Sequence, residues 1–106
     1  MSLNREQTAR AGRELATHLT LAGLSPEVAA ETLGFSARRL SETVRVGPAA
    51  DPVDVWALRD LLDATIRATG AEAPQWEVLT DKARMAAAQW FALRTPRPVA
   101  VADSAA

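Results

Sequence analysis

Cysteine and tyrosine are absent from this 106-residue chain, histidine occurs once, and two Phe and three Trp are its only large rings. Without cysteine there is no disulfide framework, no thiolate zinc site and no cysteine nucleophile. No apolar run approaches the ~20 residues that a membrane-spanning helix needs. A dominant charge sign is missing too. Twelve Lys+Arg against thirteen Asp+Glu leave a formal net charge of −1. That excludes partners held by bulk positive charge, so any nucleic-acid contact would need a local concentration of it. No nucleophile elbow, Walker loop or dinucleotide fingerprint occurs. His18 stands alone, without a paired carboxylate motif, and reads as a boundary residue rather than a ligand or base. The expectation is a protein that is not an enzyme and uses no cofactor or metal. Met1-Ser2-Leu3-Asn4-Arg5-Glu6 holds no apolar segment of the signal-peptide kind, so the expected location is cytoplasmic.

The residues present in quantity are Ala, Leu, Arg and Glu, all good helix formers. β-branched residues never alternate over a strand's length. The expected fold is therefore all-α, with a core of Leu, Val and Ala. Start and stop signals divide it into five helices. Asn4 with Gln7 forms a capping box before a helix over Arg5–Leu21, which Gly23 stops. Its apolar stripe is Thr8, Ala11, Leu15, Leu19 and Ala22. Ser25-Pro26 opens a short second helix with Val28, Ala29 and Leu33 inward, ended by Gly34. Ser36 caps a third helix over 36–46, with Ala37, Leu40 and Val44 inward, terminated by Gly47-Pro48. Asp51-Pro52 opens a fourth, running to Thr69 before Gly70. Its face is Val55, Leu58, Leu61, Leu62, Thr65 and Ile66, with Trp56 off centre. A fifth follows Thr80, with Ala83, Ala86, Ala87, Trp90 and Phe91 inward and Arg94 in its last turn. These make one domain over residues 1–94. Residues 95–106, with two prolines and no periodicity, read as an extended or disordered tail.

The segment 26–45 has the pattern of a helix-turn-helix within a tri-helical core built from the first three helices. Ala30 is small where the second helix would be crossed. Gly34 suits a turn residue with positive φ, Phe35 would plug the space between the helices, and Leu33 and Leu40 would close the core. Position 43 departs, since a large aliphatic residue is expected there and Thr stands instead; Val44 is the substitute by a slight rotation.

A helix-turn-helix suggests double-stranded DNA as the partner, a homodimer as the assembly and the third helix in the major groove. Ser36, Ala37, Arg38, Arg39, Ser41, Glu42 and Arg45 would then form the interface. Arg38 is suited to a guanine edge, Glu42 to a cytosine amine or to orienting Arg38, and Arg39 and Arg45 to phosphates. Segment 35–46 carries three Arg and one Glu, a local +2. The fourth helix carries Asp54, Asp60 and Asp63, a face expected to point away from phosphate. Asp60 and Asp63 with Arg59 and Arg67 read as surface ion pairs. The same arginines also fit a solvated face, and the tri-helical unit equally fits a protein-interaction module without DNA contact. Trp56, Trp76 and Trp90 read as closing the lower core or as a dimer patch. A metabolite pocket, if any, would lie between the fourth and fifth helices at Trp76 and Trp90.

Several short motifs resemble one bacterial family. They are Ser2-Leu3-Asn4-x-Glu6-Gln7, Leu21-x-Gly23-Leu24-Ser25-x-Glu27 followed by Ala29 or Ala30 and Leu33, and Asp51-Pro52 with Trp56-x-Leu58-Arg59-Asp60-x-Leu62. Here Val53-Asp54-Val55 intervenes before the tryptophan. Over residues 2–79 the order and spacing are similar to domain of unknown function 2316. The resemblance implies a small bacterial protein of helix-turn-helix type with no assigned activity and no functional residues to carry over.

Overall fold

Each of the five expected N-terminal caps opens a helix in the computed structural model, which describes residues 3–72, 74–94, 96, 98 and 99. Asn4 and Gln7 exchange side-chain and backbone hydrogen bonds of 2.8 and 3.0 Å, opening α1 (Arg5–Leu21). Ser25 caps α2 (Pro26–Leu33), and Ser36 caps α3 (Ala37–Val44). Asp51 accepts from the Val53 N–H at the start of α4 (Pro52–Ala68). Thr80 accepts from the Ala83 N–H at the start of α5 (Asp81–Ala88). Every cap supplies an oxygen to an N–H that has no partner within its helix.

α4 is the axis of the fold. It packs against α1, α2 and α3. Asp54 through Arg59 are all buried, as are Leu61, Leu62, Thr65 and Ile66. A helix covered on most of its circumference must be apolar or internally paired nearly all round, and this one combines four inward leucine and isoleucine side chains with paired charges. The rest of the core is small: Ala11, Ala29, Ala57 and Ala87 are fully enclosed. Alanines bring helix backbones close, and Gly12 brings α1 closest to the end of α3. A Cβ on Gly12 would stand 3.1 Å from the Arg45 carbonyl oxygen. The radius of gyration, 13.0 Å, is what close packing of this length gives.

The packing corrects several sequence expectations. Trp56 is not off centre; it is 1% exposed and is the largest fully buried side chain. Val28 and Ala37 face outward, and Ala30 takes the inward place in α2. Thr43, not Val44, is the residue enclosed late in α3, its hydroxyl donating to the Arg39 carbonyl at 2.7 Å. That bond supplies the polar atom with a partner inside its own helix, so a threonine serves where an aliphatic residue was expected. α5 stops at Ala88 rather than near Arg94, so Ala86 and Trp90 are exposed instead of inward. Asp54 and Arg59 are buried rather than superficial. Of the expected tail, Thr95, Arg97 and residues 100–106 lie outside the described residues. Pro96, Pro98 and Val99 have no regular structure, and the Val99 N–H donates to the Thr65 hydroxyl.

Glycine takes the left-handed place after α1, α2 and α4, whereas α3 ends on a left-handed valine and α5 without a left-handed residue. After α2 the left-handed residue is Gly34 (φ 75°), with the Gly34 and Phe35 N–H groups returning to Glu31 and Ala30. After α3 the same pair of bonds forms, Val46 to Thr43 and Gly47 to Glu42, but the left-handed residue is Val46 (φ 50°). The expected terminator Gly47 thus stands one residue late. A β-branched residue in this conformation carries strain of about 1–2 kcal/mol. Val46→Asn is therefore expected to be more stable than Val46→Thr by about 1 kcal/mol, because asparagine tolerates the left-handed region and threonine keeps the branch. Urea unfolding of the two variants measures this; equal midpoints would count against a strained residue 46.

Candidate functional site

At 100° per residue, Leu40 and Thr43 direct one side of α3 inward, and the opposite arc carries Arg38, Glu42 and Arg45. Burial agrees: Ser36, Ala37, Arg38, Arg39, Ser41 and Arg45 are exposed and Glu42 is half-buried. The seven expected interface residues are thus accessible, but they do not share one face: Arg38, Ser41, Glu42 and Arg45 occupy the outer arc, Ala37 borders α2, and Ser36 and Arg39 lie toward α4. Their charges are not equally available.

Arg39 is tied to α4. Its Nε and Nη2 each donate to the Asp54 carboxylate at 2.7 Å, and its guanidinium lies 4.2 Å from the centre of the Phe35 ring. The two parallel bonds to Asp54 hold its charged form still more firmly than usual, raising its pKa. Asp54 is 5% exposed, so Arg39 is its counter-charge and clamps α3 to α4. The aspartate expected to point away from the site is therefore part of it.

Glu42 accepts from Arg45 Nη2 at 2.7 Å and from the Ala49 N–H at 3.2 Å. It joins α3 to the connector before α4. A Cβ on Gly47 would fall 1.8 Å from the carboxylate, so only glycine leaves Glu42 its place. Neither role expected for Glu42 uses these partners. Arg38 makes no hydrogen bond or ion pair among the described residues. Of the local +2 on this segment, two arginines are spoken for and Arg38 alone projects unpaired charge.

Two shallow grooves flank the helix. One, of about 270 Å³, runs between α2 and α3, with Pro26, Ala30, Ala37, Leu40 and Val44 as its apolar lining and Glu27 and Arg45 beside them. The other, of about 280 Å³, lies toward α4 over Arg39, Glu42 and Asp54. Among the described residues no three His, Asp or Glu side chains converge as a metal ion would require. No helix there is long and apolar enough to cross a membrane.

The acid response of this region follows from the pairings. Arg45, and then the Ala49 N–H, hold the Glu42 carboxyl below its usual 4.5. Arg59 does the same for Asp81, whose usual value is 3.8. A carboxyl lowered on folding contributes its stabilisation fully above the unfolded value and loses it as pH falls through the folded one. Stability is therefore expected to decline from about pH 5 downward. Glu42→Gln and Asp81→Asn should each make that decline shallower. Urea midpoints across the range test this, and variants that retain the full slope would refute the assignment.

The remaining aromatic side chains lie elsewhere. His18 stacks on Trp76, with ring centroids 4.0 Å apart, and its Nδ1 donates to the Glu14 carbonyl at 2.7 Å. Trp76 donates to Asp63 at 3.0 Å, and Trp90 is 75% exposed. The rings expected to frame a pocket between α4 and α5 line neither groove.

No curated protein and no solved structure matches the chain. Residues 1–92, which include the five described helices and all seven expected interface residues, match the family described as "Uncharacterized protein conserved in bacteria (DUF2316)", and the chain belongs to that family.

Proposed function

We propose that this protein is a helix-turn-helix DNA-binding protein, a small bacterial regulator whose α3 enters the major groove. The supporting observation is the α2–turn–α3 unit. Two eight-residue helices are joined across residues 34–36, with left-handed Gly34, buried Phe35 and small buried Ala29 and Ala30 between them. The unit leaves the outer arc of α3 in solvent. Arg38 is the readout residue, with its fork available to the O6 and N7 acceptors of guanine. Arg45 and Ser41 flank it; Arg39 acts as the clamp to Asp54 and not as a phosphate contact.

So few unpaired charges imply a weak dependence on salt. Each phosphate neutralised contributes about −0.9 to the slope of log K against log salt. Fluorescence anisotropy with mixed genomic duplexes should give a slope of only about −1 to −3. Arg38→Ala should weaken binding by about tenfold. Glu42→Gln, which removes the charge holding Arg45, should strengthen it. Absence of binding at low salt, or binding indifferent to Arg38→Ala, would sink the reading.

A second reading rests on the groove between α2 and α3. Its apolar lining and the neutralised arginines suit a protein segment better than a phosphate backbone, making α3 an interaction surface without DNA contact. Capture of a partner that Ala37→Arg abolishes, with no DNA binding at low salt, would favour it. For either reading we propose a homodimer. The broad α4 stripe is used up within one chain, whereas Met85 and Trp90 of the α5 region are 71% and 75% exposed. Light scattering on the wild type and Trp90→Ala tests this, and a wild-type monomer would count against it.

A further inference from the structure

A groove of about 320 Å³ runs between α1 and the segment that leads to α5. Arg10, Arg13, Thr17 and His18 of α1 line one side, and Glu77 stands on the other. Steps of three and four residues bring the α1 members to one arc of that helix.

His18 is the fixed point of the groove. The residue is 7% exposed, its Nδ1–H is committed to the Glu14 carbonyl, and its ring rests on Trp76. Trp76 is held in turn by its bond to Asp63. Only Nε2 is left, and it has no hydrogen-bond partner among the described residues. It is not sealed in either, because among those residues the unpartnered buried side-chain polar atom is Trp56 Nε1. A ring nine-tenths buried therefore keeps one open, unpartnered nitrogen, and the groove is where it opens. Since the Glu14 carbonyl keeps the proton on Nδ1, the neutral ring presents Nε2 as a hydrogen-bond acceptor.

The rest of the groove supplies donors. Arg13 is exposed and makes no ion pair among the described residues. Arg10 is held at 3.0 Å by Glu77, with much of both side chains in solvent, a pairing that another anion displaces at little cost. Thr17 adds an exposed hydroxyl. The Glu14 carboxylate does not compete for these cations, because it is occupied by the backbone N–H groups of residues 77–79.

Two guanidinium groups beside one fixed acceptor fit an anion that both accepts and donates hydrogen bonds. Hydrogen phosphate does so: three oxygens accept, and one P–OH donates. Sulfate and the dianion of a phosphate monoester only accept. We propose that this groove binds inorganic hydrogen phosphate, its P–OH donating to His18 Nε2 and its other oxygens accepting from Arg10 and Arg13. The site lies apart from the α3 face and does not rest on nucleic-acid binding there.

Phosphate, sulfate and phenyl phosphate are titrated into the full chain at about pH 8, where an ordinary imidazole is neutral and phosphate is the hydrogen-phosphate dianion. Calorimetry gives the affinities. The chain's single histidine makes its two imidazole ¹⁵N signals unambiguous. Phosphate should move the Nε2 signal upfield, saturably and more than the Nδ1 signal. Sulfate and phenyl phosphate should bind about tenfold more weakly. His18→Phe keeps a ring against Trp76 and removes the acceptor. It should weaken phosphate about tenfold and leave sulfate unchanged, a difference that a misfolded variant would not produce. Arg13→Gln should weaken phosphate and sulfate alike, and Glu77→Gln, which frees Arg10, should strengthen both. An Nε2 signal unmoved by millimolar phosphate would overturn the proposal. So would sulfate or phenyl phosphate binding as tightly as phosphate, or a preference for phosphate that survives His18→Phe.

Discussion

Arg59→Ala is expected to lower the unfolding free energy by about 3 kcal/mol. Only 4% of the Arg59 side chain is exposed. Its Nε donates to the Leu79 carbonyl at 2.9 Å, its Nη1 to Asp60 at 3.1 Å and its Nη2 to Asp81 at 2.5 Å. The guanidinium also lies 5.2 Å from the centre of the Trp76 ring. Truncation leaves the Leu79 carbonyl without that donor in an enclosed setting and removes a long side chain from between α4 and the segment leading to α5. Asp60 keeps Arg84 at 2.7 Å, and Asp81 is exposed, so neither becomes an isolated buried charge. That places the cost below the worst case for a broken buried pair. Arg59→Met separates the causes, because it refills much of the volume without supplying a donor. It should recover part of the loss, while Arg59→Lys, which cannot serve three divergent acceptors, should fall short of wild type. With a urea m-value of about 1–3 kcal/mol/M, the alanine variant's midpoint should fall by one molar or more. A change within about 0.5 kcal/mol, typical of a surface substitution, would refute this role for Arg59.

Why Arg59 looks superficial in sequence is instructive. It stands one residue from Asp60 on a helix, and such pairs are ordinarily solvated. Its burial depends on residues 79–81 folding back over α4, a contact 20 or more residues away. Asp54 is hidden in the same manner, since its partner Arg39 lies 15 residues earlier. The helix starts were legible because a cap is a local device: Asn4, Ser25, Ser36, Asp51 and Thr80 each satisfy an N–H two or three residues away. Helix ends were legible where glycine takes the left-handed place, as at Gly34, and misread at Val46, where tertiary packing keeps a residue that local preference disfavours. The end of α5 was misread for the opposite reason. Its alanines and Trp90 extend a helical pattern that α4 does not cover.

The candidate site divides along the same line. That Arg38, Ser41, Glu42 and Arg45 share the outer arc of α3 follows from helical periodicity around Leu40. Which of their charges are free does not, because it depends on Asp54 and on the connector N–H of Ala49. A segment charge of +2 therefore overstates the field that a partner meets. Asp54→Asn bears directly on this point. It would loosen Arg39 from α4 while leaving the outer arc of α3 in place.

Glu14→Ala is expected to cost about 2 kcal/mol, through a carboxylate that composition treats as surface decoration. Glu14 is half-buried on α1, off the apolar stripe. Its carboxylate accepts from three consecutive backbone N–H groups, those of Glu77, Val78 and Leu79, the last two at 3.1 Å. Successive N–H groups converging on one anion form a nest, and charged acceptors make the stronger hydrogen bonds. This contact fastens segment 77–79 to α1, and the same segment presents the Leu79 carbonyl to Arg59. The Arg10–Glu77 ion pair nearby is exposed on both sides and contributes little. Loss of Glu14 should therefore release the segment before it unfolds the domain. Hydrogen exchange at the Val78 and Leu79 amides should accelerate more than exchange in the interior of α4. Glu14→Gln should lie between wild type and alanine, because one oxygen still accepts while its amide donors repel the N–H groups. Glu14→Ala combined with Arg59→Ala should cost less than the sum of the two, since either change alone already frees the strand of chain that both hold. Full additivity, or unchanged protection at residues 78 and 79, would show that the segment is anchored by Leu79's buried side chain rather than by its backbone.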